Sequence, residues 1–255
     1  MSRPQILDPT GGPVISAGRC ALGIMTKVPE AGKVKTRLTP PLTPEEAAQL
    51  NICFLQDLAR SISAAGQSAP AQGVGIYTPA GAEAAYDTIL PDDFFLIPQR
   101  GQDFGERLLL AAQDLFQVGF SAVCLINSDS PTVPASSFAA AANTLAKTAD
   151  RLVLGPSDDG GYYLIGLKKP HARLFQDIDW STERVLQQTL ARAAEIGLEV
   201  EQLPSGYDVD DRVTLHQLCQ ELLSTARTGP DLAPNTRKFL SDIVEREGRD
   251  RIWPQ

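Results

Sequence analysis

The chain has 255 residues, 43% of them hydrophobic, enough to bury the core of one large α/β domain. Its net charge of −8 argues against nucleic acid as a general partner. No apolar run reaches the ~18 residues that a membrane span needs, so no membrane partner is expected. Residues 1–18 lack the apolar stretch of a signal peptide; their Pro and Gly content predicts a flexible N-terminal arm, with the folded domain over 19–255. The four cysteines, Cys20, Cys53, Cys124 and Cys219, are widely separated, as expected of small core residues in a reducing, cytoplasmic setting.

Apolar runs alternate with helical patterns through most of the sequence. Strands are predicted over Cys20–Thr26, Gly73–Thr78, Phe94–Pro98, Ala122–Ser128, Leu152–Gly155, Tyr162–Leu167 and Leu198–Leu203. Helices are predicted over Pro44–Ala65, Ala82–Leu90, Phe104–Val118, Ala135–Ala149 and Thr182–Ile196, with two more, Val213–Ala226 and Pro234–Arg246, at the end. This alternation predicts a single α/β domain: a Rossmann-like, mostly parallel sheet with helices on both faces. The close approach of two strand-like runs around Asp158–Gly161 predicts a local antiparallel excursion.

The loop after the first of these strands, Lys27-Val-Pro-Glu-Ala-Gly-Lys-Val-Lys-Thr-Arg-Leu38, concentrates cations in an acidic chain. Ligands of open α/β sheets sit outside the carboxyl ends of the strands, and Lys and Arg hold phosphate there. The alternative is a solvated basic loop. It is not a Walker A loop, because Gly32-Lys33 is followed by Val34 and lacks the earlier glycine. Asp129, after the run Ala122–Asn127, suits either a divalent cation or a turn before Pro131. The acids of Tyr207-Asp-Val-Asp-Asp211 suit either a metal or a helix cap. Pro156-Ser-Asp-Asp-Gly-Gly161 reads as an acidic ligand-facing loop or as an Asp-Gly hairpin turn. In Gln99–Arg107, Asp103 with Glu106 fits a capping box, while Gln99 and Gly101 could present polar edges to a base.

Taken in order, several motifs carry a family resemblance: Lys27-x-Pro-x-x-Gly-Lys-x-Lys-Thr-Arg-Leu38, Gly101-x-Asp-x-Gly-Glu-Arg107, Ser128-Asp-Ser-Pro131, Gly155-Pro-x-x-Asp-Gly-Gly-Tyr-Tyr-Leu-Ile-Gly166, Trp180-Ser-Thr-Glu183 and Asp208-x-Asp210. The chain resembles the bacterial DUF2064 family, assigned to glycosyltransferases of the nucleotide-diphospho-sugar transferase (glycosyltransferase-A-type) fold. It also shares the Lys-Thr-Arg-Leu loop with guanylyltransferases that act on phospholactate. The resemblance implies a nucleotide-sugar or nucleotide and a small-molecule acceptor as partners, with Mg²⁺ or Mn²⁺ as cofactor. It implies that Lys27, Lys35 and Arg37 hold the diphosphate, with Gly32 allowing close approach. Asp129 becomes the main metal ligand, helped by Asp208 or Asp210; Gln99, Gly101 and Asp103 lie near the base. Asp158, Asp159, Gly160 and Gly161 border the acceptor or sugar, with Trp180 and Glu183 nearby, and the acids Asp158, Asp159 and Glu183 are the catalytic candidates. One departure is that the common Asp-x-Asp of such glycosyltransferases is absent after Asp129, where Ser130 and Pro131 follow. The expected function is metal-dependent glycosyl transfer. The alternatives are nucleotidyl transfer to a phosphorylated small molecule, which Lys168 and Lys169 would serve if they turned inward, and nucleotide binding without catalysis.

Overall fold

The structure, a computed structural model, describes residues 4–224 and 232–254. The strands among these are β1 (Gln5–Ile6), β2 (Cys20–Lys27), β3 (Ala71–Thr78), β4 (Phe95–Pro98), β5 (Ala122–Ile126), β6 (Arg151–Pro156), β7 (Tyr162–Leu167) and β8 (Glu199–Gln202). The helices are α1 (Pro44–Gly66), α2 (Phe104–Gln117), α3 (Ala135–Ala146), α4 (Val185–Glu195), α5 (Arg212–Leu223) and α6 (Pro234–Glu247). The strands form one sheet in the order β1-β4-β3-β2-β5-β7-β6-β8. All pairings are parallel except those of β7, which runs against both β5 and β6. The antiparallel excursion expected around Asp158–Gly161 is this β6–β7 hairpin.

A sheet buried on both faces needs strands that are apolar throughout rather than alternating. β2 meets that need: Cys20, Leu22 and Ile24 pack in one core with α1 and α3, while Ala21 and Met25 pack in the other with α2. β5 divides the same way, with Cys124 and Ile126 on the first face and Val123 and Leu125 on the second. Hydrophobic burial of this kind stabilises by roughly 25 cal/mol per Å² of apolar surface. The outer side of α1 makes a third layer. Leu50 and Phe54 meet Leu215 and Leu218 of α5 and Leu240 and Ile243 of α6. Leu38 and Leu42, from the segment after β2, are buried in this same layer and anchor the basic loop to it.

Local signals start the helices where expected. Thr43 caps α1 in a reciprocal box with Glu46, and Pro44 occupies the first turn. Asp103 accepts from the Glu106 amide at the start of α2, and Asp211 forms a box with Thr214 at the start of α5. The end of the helix expected over Val213–Ala226 lies outside the described residues.

Two expectations change. Ala82–Leu90 contains a single 3-10 turn, Glu83–Tyr86, in place of a helix. The segment is bracketed by Gly81, at φ +84, and Pro91, and a proline disfavours helical geometry at the residue before it; Tyr86, Ile89 and Leu90 are still buried together at helix-like spacing. The N-terminal arm is tied down over part of its length. Gln5–Ile6 pairs with Phe95–Leu96, the Leu7 amide donates to the Leu96 carbonyl, and the Leu7 side chain is buried. Among the described residues no helix is long and apolar enough to cross a membrane.

The outer layer is pinned by a buried acid. Asp57, inside α1, accepts from the backbone amides of Asn235 (3.0 Å) and Thr236 (2.8 Å) and from the Asn235 side chain (2.8 Å), so it serves the N-terminus of α6. Because hydrogen bonds to a charged group are worth about 1.5–3 kcal/mol each and are not additive, Asp57→Ala should cost about 2–4 kcal/mol in urea unfolding. A loss below about 0.5 kcal/mol would show that α6 docks without this acid.

Candidate active site

Every strand but β7 points the same way, so the segments following β2, β5, β6 and β8 gather at one edge of the sheet. This gathering brings the basic loop, Asp129, the Asp158–Gly161 turn and the Asp208–Asp210 segment together. Backbone bonds fix the approach: the Val209 amide donates to the Asp129 carbonyl at 2.9 Å, and the Asp158 amide donates to the Gly206 carbonyl at 3.0 Å.

Lys35 sits at the centre. It is held in the left-handed region at φ +48, and its side chain is only 5% exposed. Its ammonium lies 2.5 Å from Asp129 Oδ1, 3.0 Å from Asp210 Oδ1 and 2.9 Å from the Val209 carbonyl, and 5.5 Å from the centre of the Phe54 ring. An ammonium has three N–H donors, and here it has three acceptors. Burial alone would lower its pKa, but the facing carboxylates of Asp129 and Asp210 outweigh that and leave it above its ordinary value. Lys35 is therefore an internal counter-ion with no donor to spare for a ligand. Lys33 pairs with Glu30 at 2.5 Å on the surface. The cations that open into the cleft are Lys27 and Arg37; Arg37 also touches Asp210 at 3.2 Å but keeps 74% of its side chain exposed.

Two hollows meet at this point. The first, about 300 Å³, is lined by Lys27, Lys35, Thr36, Arg37, Ser128 and Asp129, among others. The second, about 560 Å³, shares Arg37, Ser128, Asp129 and Asp210 with it and extends past Asp159, Glu183 and Asp208 to Trp180. Asn51, buried on α1, also lines the first, and Phe104 the mouth of the second. Neither stood out in the sequence, where Asn51 is one polar residue on a helix and Phe104 a first-turn apolar one.

The expected site residues divide accordingly. Lys27, Lys35, Arg37, Asp129, Asp159, Gly161, Trp180, Glu183, Asp208 and Asp210 line one or both hollows. Asp158 is exposed on the hairpin turn and lines neither. Gly160 has φ +87, and a β-carbon there would come within 2.2 Å of the Glu183 carbonyl, so this glycine lets the turn pack against the Trp180–Glu183 segment. Gly32, at φ +73, forms an exposed bend of the basic loop. Gln99 spends its amide on the backbone, donating to the carbonyls of Thr26 (3.0 Å) and Ile76 (2.7 Å). Asp103 caps α2, and Gly101 adopts φ +114 against the backbone of Arg107. These three line neither hollow.

Asp208 is held by Asn127 Nδ2 (2.7 Å) and Ser130 Oγ (2.6 Å), both donating to Oδ1. Burial first, and the charges of Asp129 and Asp159 after it, push its carboxyl up to about 6 in spite of those two bonds. Among the described residues no three His, Cys, Asp or Glu side chains form a ready-made metal cage. Asp129 and Asp210 are turned on Lys35, while Asp208 is turned on Asn127 and Ser130.

The fold and its edge-on cleft define the class: a nucleotide-diphospho-sugar transferase-like α/β protein. The DUF2064 family, described as an uncharacterized protein conserved in bacteria, matches residues 61–182. A crystal structure described as a "putative nucleotide-diphospho-sugar transferase" from Desulfovibrio desulfuricans G20 is 30% identical, covering 91% of this chain and 99% of that one at a TM-score of 0.77. The chain belongs to the DUF2064 family. The fold is shared more distantly with CMP:2-keto-3-deoxy-manno-octonic acid synthetase complexed with CTP (11% identity, 78% and 96% coverage, TM-score 0.50). It is shared equally with a cytidylyltransferase from Leptospira borgpetersenii (10% identity, 94% and 98% coverage, TM-score 0.50). No curated protein matches the sequence significantly.

The raised carboxyl of Asp208 has a consequence for stability. Between about pH 4 and 6 the folded chain keeps a proton that the unfolded chain releases, so this group's contribution falls as pH rises through that window. Asp208→Asn keeps the oxygen that Asn127 and Ser130 bond, and it should raise the melting temperature more at pH 8 than at pH 4. An equal shift at both pH values would contradict the raised carboxyl.

Proposed function

We propose that the protein is a glycosyltransferase that moves a sugar from a nucleotide-sugar donor to a small-molecule acceptor. The observation that carries this reading is a small cation-lined hollow sharing its Asp129–Asp210 wall with a larger pocket of carboxylates and aromatic rings. Lys27 and Arg37, at the end of β2, suit the diphosphate of a nucleotide. The carboxylates and the Trp180 face next to them suit sugar hydroxyls and ring surfaces. Transfer in this arrangement breaks the bond between the anomeric carbon and the β-phosphate oxygen and forms one from that carbon to the acceptor. The acceptor's proton passes to a carboxylate, for which Asp159 and Glu183 are the candidates lining the pocket. Asp158, which lines neither hollow, is the weakest of the three expected acids for that task.

The oxygen-only donor set of Asp129, Asp208 and Asp210 fits Mg²⁺ or Mn²⁺ in the mode in which one or two carboxylates share the ion with substrate phosphates. Asp129 and Asp208 would hold it, and when bound it would neutralise charge on the departing diphosphate. Lys35 contributes a fixed positive charge beside the same carboxylates.

Nucleotidyl transfer is the second reading, and Ser130 favours it, because the residue after Asp129 is a hydroxyl that serves Asp208 and not a second acid. Against it, Lys168 and Lys169 are remote from the pocket. They follow β7, whose Leu167 end pairs with Val123 near the start of β5, at the sheet edge opposite the site. Lys168 bonds the Lys147 carbonyl, and Lys169 pairs with Asp150 at 3.1 Å.

Arg37→Ala should weaken nucleoside diphosphate binding, measured by calorimetry, by about 1–3 kcal/mol. Unchanged affinity in the folded variant would remove the phosphate assignment. With a turning-over donor and acceptor, Glu183→Gln should lower kcat by about 10²–10⁴ while leaving nucleotide affinity unchanged. Release of a nucleoside diphosphate is the expected product; release of pyrophosphate from a triphosphate would select the second reading, and binding with no turnover of any donor would select a non-catalytic role.

A further inference from the structure

The far half of the larger pocket has a chemistry of its own. Its floor and sides are Met25, Leu108, Leu125, Ile165 and Val185. At its mouth stand Phe104 and Trp180, edge to face with ring centroids 5.2 Å apart and planes at 77°. Phe104 is 51% exposed although it opens an otherwise amphipathic helix, and the Trp180 indole is held behind it by close packing. A β-carbon on Gly105 would come within 2.7 Å of the indole nitrogen, so glycine at 105 is what lets the ring lie there. An aromatic pair kept partly wet at a pocket mouth offers apolar and π surface to whatever enters.

Most of the charged side chains lining this pocket are acids, and Lys35 answers two of them, Asp129 and Asp210. Asp129, Asp159, Glu183, Asp208, Asp210 and Asp211 line the pocket, whereas Arg37 is the single Lys or Arg among its lining residues, and it is engaged by Asp210 at 3.2 Å. Lys35, Arg37 and any metal serve the Asp129–Asp210 wall, so an anionic group placed beyond it, beside Asp159 and Glu183, would meet like charge with no lining Lys or Arg to offset it, which is costly. The cations next in sequence to the lining, Arg107, Arg184 and Arg212, do not line the pocket, with Arg184 paired to Asp179 at 3.1 Å, and Lys168 and Lys169 are at the opposite edge of the sheet.

We infer that the acceptor bound here has an apolar ring or chain seated against Phe104 and Trp180 and a neutral or cationic head, a hydroxyl or amine, turned to Asp159 and Glu183, and that phosphorylated and carboxylated acceptors are excluded. This rests on the reading of the site as one that transfers a group from a nucleotide donor, and it specifies the acceptor class.

The test uses four small probes that share a phenyl ring: phenethyl alcohol, phenethylamine, phenylacetate and phenyl phosphate, titrated against the full chain by saturation-transfer NMR. The alcohol and the amine should bind saturably, and the two anions should bind roughly tenfold more weakly or not at all. Phe104→Ala, at an exposed position that does not endanger folding, should weaken the alcohol and amine about fivefold. Equal or tighter binding of the anions, indifference to Phe104→Ala, or no saturable binding of any probe would overturn the inference. Nucleoside diphosphate affinity is read in parallel by calorimetry. Probe discrimination without nucleotide binding would overturn the transferase reading alone, and nucleotide binding without probe discrimination would overturn the acceptor class alone.

Discussion

The arrangement of this site depends on one buried ammonium. Lys35 draws together three segments that are distant in sequence: its own loop after β2, Asp129 after β5, and Val209–Asp210 before α5. A charge buried this deeply is tolerated only when each of its protons is met, and here each one is. The same contacts set the orientation of Arg37 two residues on, because Leu38 is locked into the outer helical layer on one side of it and Lys35 into the carboxylates on the other.

From that point the charge pattern follows. Positive groups face one side of the Asp129–Asp210 wall and negative groups with aromatic rings face the other. A ligand spanning both would have an anionic end and a hydroxylated or apolar end, the character of a nucleotide-sugar beside its acceptor. The acidic cluster also has a cost, seen in the raised carboxyl of Asp208, where burial and two neighbouring acids oppose ionisation. Like charges gathered in this way commonly lower stability.

Much of the fold was legible because the core strands are apolar throughout and the starts of α1, α2 and α5 carry side-chain caps. Thr43 with Glu46, Asp103 with Glu106, and Asp211 with Thr214 all act as local signals do, independent of tertiary context. Tertiary competition explains the misreadings. Ala82–Leu90 has helical composition and buries Tyr86, Ile89 and Leu90 at helical spacing, but Gly81 and Pro91 bracket it and it closes only one 3-10 turn. The N-terminal segment looks unconstrained until β4 offers it an open sheet edge. In the site, sequence located the loops but not the division of labour within them. Glu30, three residues before Lys33, is a local partner for it, but nothing local shows that Lys35 is buried against two acids, since those lie far downstream. Likewise Asp210 and Asp211 are neighbours in sequence, yet one meets the ammonium and the other caps a helix.

The long reach of the Lys35 contacts also orders the making of the molecule. Its Val209 and Asp210 partners lie 174 and 175 positions downstream. As the chain emerges during synthesis, strands β2 to β5 can pair while this ammonium has neither of those acceptors. The cation-lined hollow is thus the last part of the sheet edge to close, and it closes only when the segment after β8 has been delivered. A chain ending before that segment would lack two of the three acceptors that Lys35 needs, and with them the wall shared by the two hollows.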